Sequence, residues 1–190
     1  MNHFGPLAAL AGEWEGDDGL DVSYHHAVDE IRETPYREHI TFKPFGPVDN
    51  GDQQMYGLDY KMAAWRAGEE NPFHTEVGYW LWCAGLGHVM RGFLVPRGTV
   101  VLAGGPAAPD ATTFTLTATH DSDEYGVLSN PYLAQRAKCV RYEVTVTVEG
   151  DVMTYEEDTV LQMTELPDLV HHTDRNRLRR VAVYELPPPA

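Results

Sequence analysis

Three histidines lie in polar, strand-forming sequence where an imidazole could hold a metal or move a proton: His39, His74 and His172. Side chains alternate across a strand with a period of two. The stretch from His74 to Trp82 therefore puts His74, Glu76, Gly78, Trp80 and Trp82 on one face, and Phe73, Thr75, Val77, Tyr79 and Leu81 on the other. Turned inward, the first face joins an imidazole, a carboxylate, a gap at Gly78 and two indoles, a lining suited to a flat aromatic guest. His74 and Glu76 would then also suit acid and base roles. Turned outward, it is a solvated His-Glu pair beside aromatic packing. Near the other end, His171-His172-Thr-Asp174-Arg-Asn176 reads as a polar stretch just ahead of the final strand, where a side chain leans over a cavity mouth. An axial iron ligand needs a neutral imidazole with a second-shell acceptor, and Asp168 and Asp174 are near in sequence. The alternative is a pair of solvated histidines in a loop.

Other chemistry-bearing groups are weaker. His25-His26-x-x-Asp29-Glu30 matches no metal spacing such as His-Glu-x-x-His. Cys83 and Cys139 lack Cys-x-x-Cys spacing and read as free, buried thiols. The run Glu156-Glu157-Asp158 reads as a solvated strand edge, and Arg175, Arg177, Arg179 and Arg180 as partners of acids on neighbouring strands. No nucleophile elbow, Walker loop or dinucleotide fingerprint is present.

The elements that must position these groups are almost all strands. Val140, Tyr142, Val144, Val146 and Val148 alternate with polar residues, a half-buried strand. Gly150-Asp151 turns it into a partner that carries Met153, Tyr155, Thr159 and Leu161. Further strands are expected over 37–43, 55–66, 73–82, 88–95, 99–102, 112–119 and 177–186. Val181-Ala-Val183 is apolar on both faces, as for a strand covered twice. Two segments look helical: an opening turn around Leu7-Ala-Ala-Leu10, started by Pro6 and stopped at Gly12, and a short helix near 130–137 that Ser129 or Asn130 caps and Pro131 starts. Trp14, between Gly12 and Gly16, would lie against a barrel end, with the glycines letting neighbouring backbone approach its ring. The fold expected is all-β: an antiparallel up-and-down β-barrel of about ten strands, lipocalin-like or fatty-acid-binding-protein-like, with a β-sandwich as the rival. It would form a single domain over 1–190, with a helical plug at 1–12 and a Pro-rich tail at 187–190.

Composition narrows the partners. Lys and Arg total 14 against 29 Asp and Glu, a formal charge of -15, which repels nucleic-acid phosphates and anionic headgroups. No apolar run has the length of a bilayer span, and the first residues lack secretory features, so a cytoplasmic location is expected, with neither nucleic acid nor membrane as partner.

The motifs Gly12-x-Trp14-x-Gly16 and His74-x-Glu76-x-Gly78-Tyr79, followed by the His172 segment, resemble those of the nitrobindin-like haem-binding β-barrels, and of a divergent bacterial subgroup among them. The resemblance spans nearly the whole chain and implies haem b inside the barrel. It implies a distal role for His74, with Phe73 as the apolar residue beside it. The proximal position falls at Thr173 or, one residue over, at His172, which is taken as the iron ligand; Glu76 and Trp80 complete the candidate pocket. It further implies sensing or scavenging of nitrogen oxides, or isomerisation of peroxynitrite by ferric haem with an open position. The alternatives are a haem-free carrier of a fatty acid or small hydrophobic metabolite, with Arg66, Arg91 or Arg141 pairing its carboxylate, and an enzyme acting on such a substrate through His74 and Glu76. The expected partner is a small hydrophobic ligand, and a homodimer stays open.

Overall fold

A computed structural model describes residues 2–189. Its strands are β1 (Gly12–His25), β2 (Glu30–Asn50), β3 (Gln53–Arg66), β4 (His74–Cys83), β5 (His88–Val95), β6 (Thr99–Pro106), β7 (Thr113–Thr119), β8 (Val127–Ser129), β9 (Ala137–Glu149), β10 (Val152–Met163) and β11 (Val170–Val183). Neighbours pair antiparallel from β1 to β6. The β1–β11 pairing then brings the chain's last strand back to its first, and the β5–β6 pairing closes the strands into a ring. The result is the closed ten-stranded antiparallel barrel expected from the strand count, with β8 laid along β6. Closure removes both sheet edges and disposes of the sandwich. The β6–β7 seam is thin, a single bridge at Gly104–Thr117.

Alternation builds the wall. In β9 Tyr142, Val144, Val146 and Val148 are buried while Arg141, Glu143, Thr145 and Thr147 are not. One end is stoppered by a 3₁₀ turn (Gly5–Leu10) whose Leu7 and Leu10, with Phe4, are wholly buried. Trp14 packs beneath it and donates from Nε1 to the Leu10 carbonyl at 2.8 Å. Arg180 stacks over the indole at 4.3 Å and donates to the Ala9 and Ala11 carbonyls. The flanking glycines serve a different contact from the one expected: a Cβ on Gly12 would lie 2.2 Å from the Ala182 carbonyl oxygen, and one on Gly16 would lie 2.7 Å from that of Arg177. They let β1 close on β11, not backbone on the indole. The short helix α1 (Pro131–Arg136) forms with Asn130 as its cap.

Three local readings are corrected. His171 to Asn176 is part of β11, not a loop ahead of it; its inward residues are polar, so hydropathy alternation hides the strand. Val181 and Val183 are 52% and 73% exposed, so the end of β11 is not covered on both faces. Gly78 leaves no gap for a guest, since a Cβ there would meet the Gly92 carbonyl oxygen at 2.0 Å. Cys83 and Cys139 are free and buried. No helix among the described residues is long and apolar enough to cross a membrane.

Candidate functional site

Inside the barrel, between the stoppered end and the end near α1, is a cavity of about 320 Å³. The His74 face of β4 points into it: Glu76, Trp80 and Trp82 are buried, while Val77 and Tyr79 are exposed. All five residues singled out in the sequence, Phe73, His74, Glu76, Trp80 and His172, line this one cavity. Phe73 precedes β4 and so escapes its parity; its ring meets Tyr36 edge-on at 5.8 Å. His39 faces outward, with Nε2 3.3 Å from Glu13. Among the arginines, Arg91 points inward and Arg66 stands at the end of β3 on the cavity mouth, whereas Arg141 pairs with Glu143.

The middle of the cavity wall is an ionic network. Arg91, 4% exposed, reaches Glu76, Glu157 (2.9 Å), Tyr142 and Tyr60 (3.0 Å). Its guanidinium lies within 5.7 Å of the ring centroids of Tyr60, Trp80, Phe93 and Tyr142, an environment favourable to a desolvated cation. Burial opposes ionisation of Glu76, but the Arg91 charge and the bonds from His74 and Tyr60 hold it down at about 2. Glu157 is raised, burial outweighing Arg91. The reading of Glu156-Glu157-Asp158 as a solvated edge is therefore overturned for Glu157, which β10's alternation turns inward, away from its two neighbours.

A second cluster centres on Glu38, 3% exposed. Its Oε2 accepts from Tyr155 Oη at 2.9 Å and Asn176 Nδ2 at 2.8 Å, and Tyr155 Oη lies 2.7 Å from that of Tyr36. Burial pushes the Glu38 carboxyl up to about 7, although Asn176 and Tyr155 stabilise its charge. Toward the mouth, His172 Nε2 lies 2.6 Å from Asp21 and 3.2 Å from Asp174. Burial would lower the imidazole, yet bonds to Asp174 and Asp21 and their charges raise it to about 10. The donor atoms of these three residues lie within 4.8 Å of one another, close enough to chelate a cation; their mutual hydrogen bonds account for the approach without one. His74 is also raised: burial lowers it, but Glu76, 3.2 Å away, outweighs that.

Sequence reasoning missed Asp21, Glu38, Tyr155 and Asn176 as parts of the site. Glu38 had a usable signal, since it shares a face with Ile40 and Phe42 in β2; Asp21 had none, because a bulge between Glu15 and Leu20 breaks the parity of β1.

The THAP4-like, heme-binding beta-barrel domain matches residues 3–180. The chain belongs to that family. Among solved structures, the crystal structure of Rv2717c from M. tuberculosis has a TM-score of 0.66 at 20% identity, over 95% of this chain and 98% of that one, a likeness of fold. No curated protein matches the sequence. Membership in the THAP4-like family supports haem as a cofactor and a ligand held within the barrel. The apolar part of the wall, including Ile40, Phe42, Met62 and Trp80, suits the flat body of a porphyrin. The imidazoles do not suit its iron. A metal-binding histidine must be neutral with a free lone pair, but Nε2 of His172 is shared by two carboxylates and Nε2 of His74 is held by Glu76. Both rings are biased toward the protonated form.

Proposed function

We propose that this THAP4-like barrel is a ligand carrier that holds an amphipathic guest by burial and hydrogen bonds, without an iron bond from His172 or His74. The supporting observation is the commitment of both inward imidazoles to carboxylates, with His172 Nε2 2.6 Å from Asp21. The guest's apolar body would rest on the aliphatic and aromatic wall, where burial contributes about 25 cal/mol per Å² of apolar surface. Its polar part would meet the ionic network instead of water. Nitrogen-oxide chemistry belongs to an iron-ligated haem and enters this reading only if that bond forms.

Hemin titration of the native chain, His172→Ala and His74→Ala tests this reading. Saturable binding with the same Soret band in all three is the expected result. A native spectrum of histidine-ligated iron that disappears in His172→Ala would restore the axial bond. The acid-base reading has one observation in its favour, the 3.2 Å approach of His74 to Glu76 inside the cavity. It requires Glu76 to accept a proton, which Arg91 opposes by holding that carboxyl low.

A further inference from the structure

One deep acid of the cavity has no cation. Glu76 and Glu157 face Arg91, and Glu76 also meets His74. Glu38 meets only the neutral donors Tyr155 and Asn176, and both bonds fall on Oε2. Oε1 takes no bond from the described residues. Among these, the fully occluded side-chain polar atoms without a partner are Trp80 Nε1 and Arg91 Nε. Oε1 is therefore not sealed off; it opens on the cavity that Glu38 lines.

The charge of the whole wall points the same way. Asp21, Glu38, Glu76, Glu157 and Asp174 line the cavity, and the basic groups within are Arg91, His74 and His172. Arg66 ends β3 and Arg97 lies in the turn between β5 and β6, both on the cavity mouth, where an anionic head group would be held. A buried carboxylate without a counter-ion is costly, and a cation brought by a guest removes that cost. The rings of Tyr36, Tyr155 and Phe73, on the same cavity as Glu38, also favour a cation over an anion.

We propose that the cavity takes an amphipathic amine, its protonated nitrogen donating to Glu38 Oε1 and its apolar body lying along Ile40, Phe42 and Trp80. This rests on the reading of the barrel as a guest-holding cavity. A neutral head group would leave the Glu38 charge unmatched, and a carboxylate would have to stay at the mouth with Arg66 and Arg97.

The test is calorimetric titration of the native chain at pH 7.5 with octylamine, 1-octanol and octanoate, three probes that differ in head group. Octylamine is expected to bind about tenfold or more tightly than the others, the order of a charge-assisted hydrogen bond in a dry site. In Glu38→Gln this preference should disappear while octanol binding is kept. Equal or tighter binding of octanol or octanoate to the native chain overturns the amine site and leaves the cavity reading standing. Failure of all three probes to bind overturns both. The comparison of head groups uses the native chain, so it holds even where Glu38→Gln does not fold; a folded Glu38→Gln that keeps the preference also overturns the proposal.

Discussion

Arg91 is the side chain on which the polar interior depends. It stands between Glu76 and Glu157 with almost no solvent to screen them. Removing one partner of a buried ion pair leaves charge uncompensated at a cost of about 3–5 kcal/mol, so Arg91→Leu is expected to lose stability on that scale in urea unfolding. Arg141→Leu, which frees a half-exposed Glu143, should cost about 1 kcal/mol or less; equal losses would mean that Arg91 carries no special burden. Glu38 is expected to show itself through pH. Its carboxyl is raised to about 7 in the folded chain, against about 4.3 in an unfolded one. The proton is thus held more tightly when folded, a stabilisation complete below the unfolded value and lost as pH rises through about 7. Glu38→Gln keeps an acceptor for Tyr155 and Asn176 but does not titrate. Its melting temperature should therefore gain on that of the native chain between pH 5 and pH 8, and a gap that stays constant would refute the assignment.

At the scale of the elements, glycines set how closely strands approach. A Cβ on Gly78 would collide with the β5 backbone at Gly92, so Gly78→Ala must push β4 from β5 or distort both, at about 1–3 kcal/mol. Gly85→Ala, where a Cβ meets nothing within 4 Å, is the control and should leave the urea midpoint nearly unchanged; matched midpoints for the two variants would contradict the packing. The strands most legible in the sequence were those facing apolar side chains to the interior and polar ones to water. His88–Val95 emerges with the bounds the pattern gives, and β9 and β10 emerge as the hairpin turned by Gly150 and Asp151. The first half of β11 was illegible for the opposite reason: His172, Asp174 and Asn176 face inward, and a polar interior cancels the contrast that marks a strand. The His74 face was legible as a set of residues, but its direction was not, because parity alone does not say which side of a sheet is enclosed.

For the molecule as a whole, closure and a stopper at one end produce a hollow that opens near α1, and the acid-rich composition continues onto its inner wall. Family membership supports haem as a cofactor, while the cavity wall supplies imidazoles biased toward the protonated form and a carboxylate without a counter-ion. A carrier that relies on burial and hydrogen bonding follows from that wall; a metal-bonding one requires His172 to give up its acids. Nuclear magnetic resonance of the chain with ¹⁵N-labelled histidine reads this directly at the His172 ring. The expected result is an imidazolium at pH 8 that loses its proton only near pH 10, and that keeps its proton when hemin is added. A neutral ring titrating near the ordinary value of about 6.5, or one bonded to iron in the presence of hemin, would contradict the account.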